Sequence, residues 1–231
     1  MKRLTCLALL LALSHVANAQ FVYPRSEYHD QVSGVYSEDP FISHYRQEFF
    51  AVFKGDYKRF QKAYGEIKAM VAKNPKDARA MVWLGNGQTV EAGVLAIKGH
   101  GTEAPALLKQ SRKTLDQAVA LRPKDPNIYM MRAATIYVQG QYFPQEVPKA
   151  TWAELRDDCL RLIGFLGPKM TSMSIHVRGE TYGELGIAYK NLGDKVKAAQ
   201  AFRKIIALDP KTDYSARAEK ELHALGVVAQ K

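Results

Sequence analysis

Three similar tetrads punctuate the chain at long intervals: Asn74-Pro75-Lys76-Asp77, Arg122-Pro123-Lys124-Asp125 and Asp209-Pro210-Lys211-Thr212. Proline has no backbone N–H and pushes the preceding residue out of helical conformation, so each tetrad must end a helix. The Asp or Thr that closes it offers a side-chain oxygen to start the next one. Between these stops, apolar residues recur at helical spacing and nothing alternates like a strand, which makes the chain all-α. Phe41, Tyr45, Phe49 and Phe53 recur every four residues before Gly55-Asp56 breaks the run, and a second helix with Phe60, Ala63, Tyr64, Ile67 and Val71 closes at Asn74-Pro75. A third helix from Asp77 is interrupted at Gly99-His100-Gly101, and a fourth, entered at Thr102 to Pro105, ends at Leu121-Arg122-Pro123. Asn127 opens a fifth that runs to about Val138, Thr151 is placed to cap a sixth that stops at Gly167-Pro168, and three more follow at about 176–191, 194–208 and 212–225. Helices thus come in pairs, the second of each pair stopped by proline. One hairpin of this size has too little core to stand alone, so neighbours must stack and share one.

The N-terminus sets a different expectation. Lys2 and Arg3 precede an apolar stretch from Leu4 to about Leu13, then Ala17-Asn18-Ala19 supplies the small-x-small pattern of a signal peptidase site, with cleavage expected after Ala19. The stretch is about half the ~20 residues of a membrane-spanning helix, and no later segment is long and apolar enough to span. This reading divides the chain into a leader (1–19), an extended arm (20–40) holding Phe21, Tyr23, Tyr28 and Tyr36, a helical domain (41–225) and a short tail (226–231), and it places the mature protein in the periplasm or outside the cell. Without Cys6 one cysteine remains, Cys159, so no intramolecular disulfide can form and stability must come from packing.

The stretch Gly179 to Thr212 resembles the tetratricopeptide repeat family. Tyr182, Leu185-Gly186, Tyr189, Ala198, Phe202 and Pro210 stand at that family's spacings, and Gly193-Asp194 makes the turn between its two helices. Gly186 and Ala198 are small where the helices cross, which lets the backbones approach. Ile205 stands where the family usually has a small Ala, implying a looser or shifted contact there. Weaker repeats begin at Trp83-Leu84-Gly85, interrupted by about 14 extra residues over 91–104, and at Met130, Ala133-Ala134 and Tyr137, with about ten extra over 141–149. The first pair matches only at Gly55-Asp56, Ala63, Ile67 and Pro75. The resemblance implies a right-handed superhelical stack of about four hairpins over residues 41–225, with the last helix as a solvating cap.

It also implies a concave groove lined by first helices. The groove positions would be Arg79, Val82, Asn86 and Thr89 in one repeat, Ile128, Met131, Thr135 and Val138 in the next, and Glu180, Gly183, Ile187 and Lys190 in the last. Their mixed character suits an extended segment or helix with apolar anchors. It differs from a Lys- and Asn-rich clamp for a C-terminal carboxylate, because Gly183 and Ile187 sit where donors would be needed.

Signals for chemistry are sparse. Gly99-His100-Gly101 with Ala104 has no preceding strand and reads as a loop rather than a dinucleotide site. His29, His44, His100, His176 and His223 are scattered singly, which gives no metal-ligand spacing. Cys159 falls in an apolar helical run and reads as a small buried hydrophobe, while Glu180 and Glu184, one turn apart, read as a solvated or partner-facing pair. The chain carries 33 basic and 23 acidic residues, net +10, but acids are interleaved throughout and no long basic run suggests a nucleic-acid arm. The expectation is a non-enzymatic adaptor or scaffold of the envelope or a secretion pathway that binds another protein or peptide segment and needs no cofactor. The alternative is a module held on anionic lipid or cell-wall polymer by its basic exterior.

Overall fold

The computed structural model describes residues 40–227, so the expected leader, the arm up to Asp39 and the last four residues lie outside the described part. Nine α-helices and no strand occur among the described residues. The first hairpin is α1 (Pro40–Phe50), continued by a 3-10 turn over Ala51–Lys54, and α2 (Tyr57–Lys73). The second is α3 (Ala78–Ile97) and α4 (Ala104–Leu121), and the third is α5 (Pro126–Tyr142) and α6 (Lys149–Leu166). The fourth is α7 (Ile175–Leu192) and α8 (Lys195–Leu208), and α9 (Asp213–Ala224) closes the stack. Each helix packs on its hairpin partner and on the next hairpin, and α3 also packs directly on α5, which gives the superhelical stack its continuous interior.

The helix starts follow from the caps. Asp56 accepts from the Arg59 N–H, Asp77 from the Arg79 and Ala80 N–H groups, Asp125 from Asn127, Ser174 from Val177 and Asp194 from Lys197. Thr212 and Ser215 form a reciprocal capping box ahead of α9. Gly55 (φ 85°) and Gly193 (φ 89°) end their helices in the left-handed region that favours glycine. One expected cap is corrected: α6 starts at Lys149 behind Pro148, whose carbonyl accepts the Thr151 N–H, so Thr151 lies buried within the first turn.

Half of the first insertion, 91–97, extends α3, and an exposed turn over 98–103 leads into α4, while Phe143 from the second insertion packs on Ala92, Ala104 and Leu108 at the far end of that hairpin. Larger clusters hold the two halves, one around Phe49, Phe60, Trp83 and Leu115, the other around Ile136, Trp152, Leu185, Phe202 and Leu222. Gly186 allows the two helices of the last repeat to cross closely, since a Cβ there would lie 2.4 Å from Phe202 Cε1. Gly85 does the same in the second hairpin, where a Cβ would lie 2.6 Å from Leu115 Cγ. First helices carry buried residues around most of their circumference, as in α3 from Ala78 through Ala92, because they are enclosed by their own hairpin and both neighbours. Second helices bury one stripe, as in α2 with Phe60, Ala63, Tyr64 and Ile67.

Candidate functional site

The inner face is lined by α3, α5 and α7, and most of the expected groove row is closed along α3 and α5. Val82, Thr89, Ile128 and Thr135 are buried, while Asn86, Met131 and Val138 are half-buried and Arg79 lies with its guanidinium 4.6 Å over the Phe41 ring. A polar network fastens this closure. The Gln139 amide donates to Thr89 Oγ1 at 2.8 Å and Ser111 Oγ at 3.1 Å, Ser111 donates to the Gly85 carbonyl at 2.7 Å, and Arg112 donates to Gln139 Oε1 at 3.1 Å. Thr89 and Ser111 are 2.9 Å apart; since the Ser111 proton is committed to Gly85, Thr89 donates to Ser111. Every polar group named here has a partner, so this buried network tightens α3, α4 and α5 rather than offering donors to a ligand. Asn86 Nδ2 adds a bond to Thr135 Oγ1 at 3.1 Å. Sequence spacing placed Asn86, Thr89 and Thr135 on the inner face, but it could not show that α3 and α5 approach closely enough to bond across it.

The curvature also brings the two ends together. Arg46 Nη2 on α1 lies 2.9 Å from His176 Nε2 on α7, and His176 Nδ1 lies 2.6 Å from the Tyr214 hydroxyl on α9. A guanidinium only donates, so Nε2 accepts and the ring proton sits on Nδ1. Burial holds this imidazole below its ordinary pKa, against the pull of Glu180, whose Oε2 is 3.3 Å from Nε2.

The inner face opens at the last repeat, where α5, α7, α8 and α9 enclose a cleft of about 180 Å³. Glu180, Gly183 and Ile187 of the expected row line it, joined by Tyr137, Glu184, Ile205 and the cap residues Tyr214 and Arg217. Lys190 lies beside it, its ammonium 2.6 Å from Glu221. A Cβ at Gly183 would meet only Ile205 Cδ1, at an ordinary 3.8 Å, so this glycine leaves open space in the cleft in front of Ile205. Glu184 corrects the sequence reading: it is buried, and burial, reinforced by Glu180 and Asp158, pushes its carboxyl well above the usual carboxylate range. The Tyr137 hydroxyl, facing the same acid, is pushed up to about 12 by burial and then by Glu184. Glu180 stays half-buried on the cleft while Glu184 is enclosed, a difference that only the packing reveals. Tyr137, Tyr214 and Arg217 escaped sequence reasoning as well; the signal for Tyr214 was its place on the apolar face of the cap, which docks on α7.

Cys159 is buried and its thiol is pushed well up by that burial, so it is a packing residue in an unreactive form. Asp158 beside it accepts two hydrogen bonds from Arg132, at 2.7 and 2.6 Å, which ties α6 to α5. No group of three or more His, Cys, Asp or Glu side chains among the described residues is placed to hold a metal ion, and none of the described helices is long and apolar enough to cross a membrane.

No curated protein matches the chain in a sequence comparison. Among solved structures, the crystal structure of MamA is similar with a TM-score of 0.46 and 15% identity, over 75% of this chain and 84% of that one. The family described as Tetratricopeptide repeat matches residues 179–212, so the α7–α8 hairpin that lines the cleft is similar to a repeat of that family.

Proposed function

We propose that the chain is an exported, non-catalytic adaptor that holds a segment of a partner protein in the cleft of its last repeat. The observation that carries this reading is the cleft itself, where Ile187 and Ile205 offer apolar contact beside Glu180 and Arg217, on the inner face of a helical-repeat stack. The row of groove residues expected from spacing contracts to this end of the stack, because the network around Gln139 fills the other. Export is the expectation from the leader pattern, and it places the partner in the envelope or outside the cell.

A photo-crosslinking residue at Gly183, compared with one at the exposed Lys204 of α8, tests the site in the native host. One partner captured at position 183 but not at 204, retained in high salt and lost on Ile187→Asp, is the expected result. Capture at both positions that disappears in high salt would instead assign the work to the basic exterior. N-terminal sequencing of the purified protein tests export: the mature chain should begin at Gln20, and a chain that keeps Met1 would remove the envelope from the reading.

A further inference from the structure

Glu184 is the most buried of the three carboxyls lining the cleft, and no cation among the described residues pairs with it. Glu180 faces His176, with Oε2 and Nε2 3.3 Å apart, and Glu221 holds Lys190 at 2.6 Å. Asp158, across the helix interface on α6, is taken by Arg132. Glu184 is only 6% exposed, and no described residue hydrogen-bonds or ion-pairs with its carboxyl, although it lines the open space. A buried polar group without a partner is expensive, and a buried carboxylate more so.

We propose that the cleft receives a basic side chain, arginine or lysine, from the partner segment, and that this cation pairs with the Glu184 carboxylate. The reasons are of one kind. From its own helix Glu184 is faced by Glu180, from α6 by Asp158 and the Cys159 thiol, and from α5 by the Tyr137 hydroxyl; none supplies positive charge to it. The α9 cations Arg217 and Lys220 line the same cleft, but Arg217 stands over the Tyr214 ring at 5.6 Å and neither bears on the Glu184 carboxyl. The opening at Gly183 gives a side chain room to reach this depth. A cation arriving beside Glu184 supplies the positive charge that this carboxyl lacks, while a carboxylate there would meet Glu180 and Glu184 together.

The proposal carries a pH signature. Burial and the neighbouring acids hold Glu184 protonated above the usual range in the free protein, so pairing with a cation releases its proton. Affinity therefore rises with pH, by about tenfold per unit below the raised pKa, and levels off above it. A neutral ligand shows no such slope.

This inference rests on the adaptor reading for its ligand, and the test separates the two. The probes are acetyl-Ala-Arg-Ala-amide and its neutral isostere acetyl-Ala-citrulline-Ala-amide, titrated into the protein at pH 6 and pH 8 and read by NMR shifts of the Gly179 and Gly183 amides. The arginine peptide should bind about tenfold more tightly than the citrulline peptide at pH 8, and more tightly at pH 8 than at pH 6. Glu184→Gln should remove both differences. That variant should fold and be more stable at pH 8, since it deletes an acid whose raised pKa opposes folding wherever the unfolded chain is ionised. Equal binding of the two peptides, a preference that survives Glu184→Gln, or no binding of either at millimolar concentration overturns the proposal. The pH slope of the wild-type protein decides the matter should the variant fail to fold. A partner crosslinked at Gly183 by a neutral segment would leave the adaptor reading standing and sink the cation alone.

Discussion

Gly183 and Gly186 lie one turn apart on α7, and alanine should act on them in opposite directions. In a helix interior, glycine to alanine gains about 1 kcal/mol from backbone entropy. At position 183 that gain stands, because the new Cβ would meet only Ile205 Cδ1 at an ordinary 3.8 Å. At position 186 the Cβ would fall 2.4, 2.6 and 2.7 Å from three atoms of the Phe202 ring, which is 2% exposed and cannot move without displacing α8. Overpacking costs about 1–3 kcal/mol, and three simultaneous ring contacts put this case near 3, leaving a net loss of about 2 kcal/mol after the helical gain. The two variants should therefore differ by about 3 kcal/mol, or about 1.5 M in urea midpoint for a slope near 2 kcal/mol/M. Urea unfolding followed by circular dichroism measures this directly, and Phe202→Leu in the Gly186→Ala background should recover part of the loss. If both alanines shift the midpoint the same way, or Gly186→Ala matches the wild type, the close crossing of α7 and α8 is wrong.

Arg132→Met should cost about 3–5 kcal/mol in the same assay, because it strands Asp158, whose side chain is 1% exposed, and adding Asp158→Leu should restore much of that loss; an additive second loss would refute the pairing. Stability should fall as the pH drops below about 6.5, since the unfolded chain protonates His176 there while burial keeps the folded imidazole neutral, and His176→Asn should flatten that part of a pH–urea profile. Cys159 in a Cys6→Ser background should react with a soluble thiol reagent only under unfolding conditions, and rapid native labelling would show that α6 is not packed as described.

The helices and their order were legible because their signals are local. Asp56, Asp77, Asp125 and Asp194 each cap the helix that the sequence places after them, and the proline tetrads end helices where backbone chemistry demands it. The last repeat was legible in detail, since Gly186 against Phe202 is a contact between residues at fixed separation in one hairpin. Thr151 shows the limit even at this scale: a good capping residue lost the position to Pro148 three residues earlier.

The sequence by itself determined an all-α chain of paired helices with small residues at the crossings, because capping, helix breaking and periodicity act within a few residues. Only the tertiary structure decided which part of the inner face is open. Thr89, Thr135 and Glu184 all sit on first helices, yet Thr89 and Thr135 are tied into bonds across α3 and α5, while Glu184 is left unpaired at the edge of a cleft. That difference depends on how closely successive hairpins approach and on where α1 and α9 close the ends of the stack. Those distances are set by packing between residues as far apart as Arg46 and His176, which no local pattern encodes.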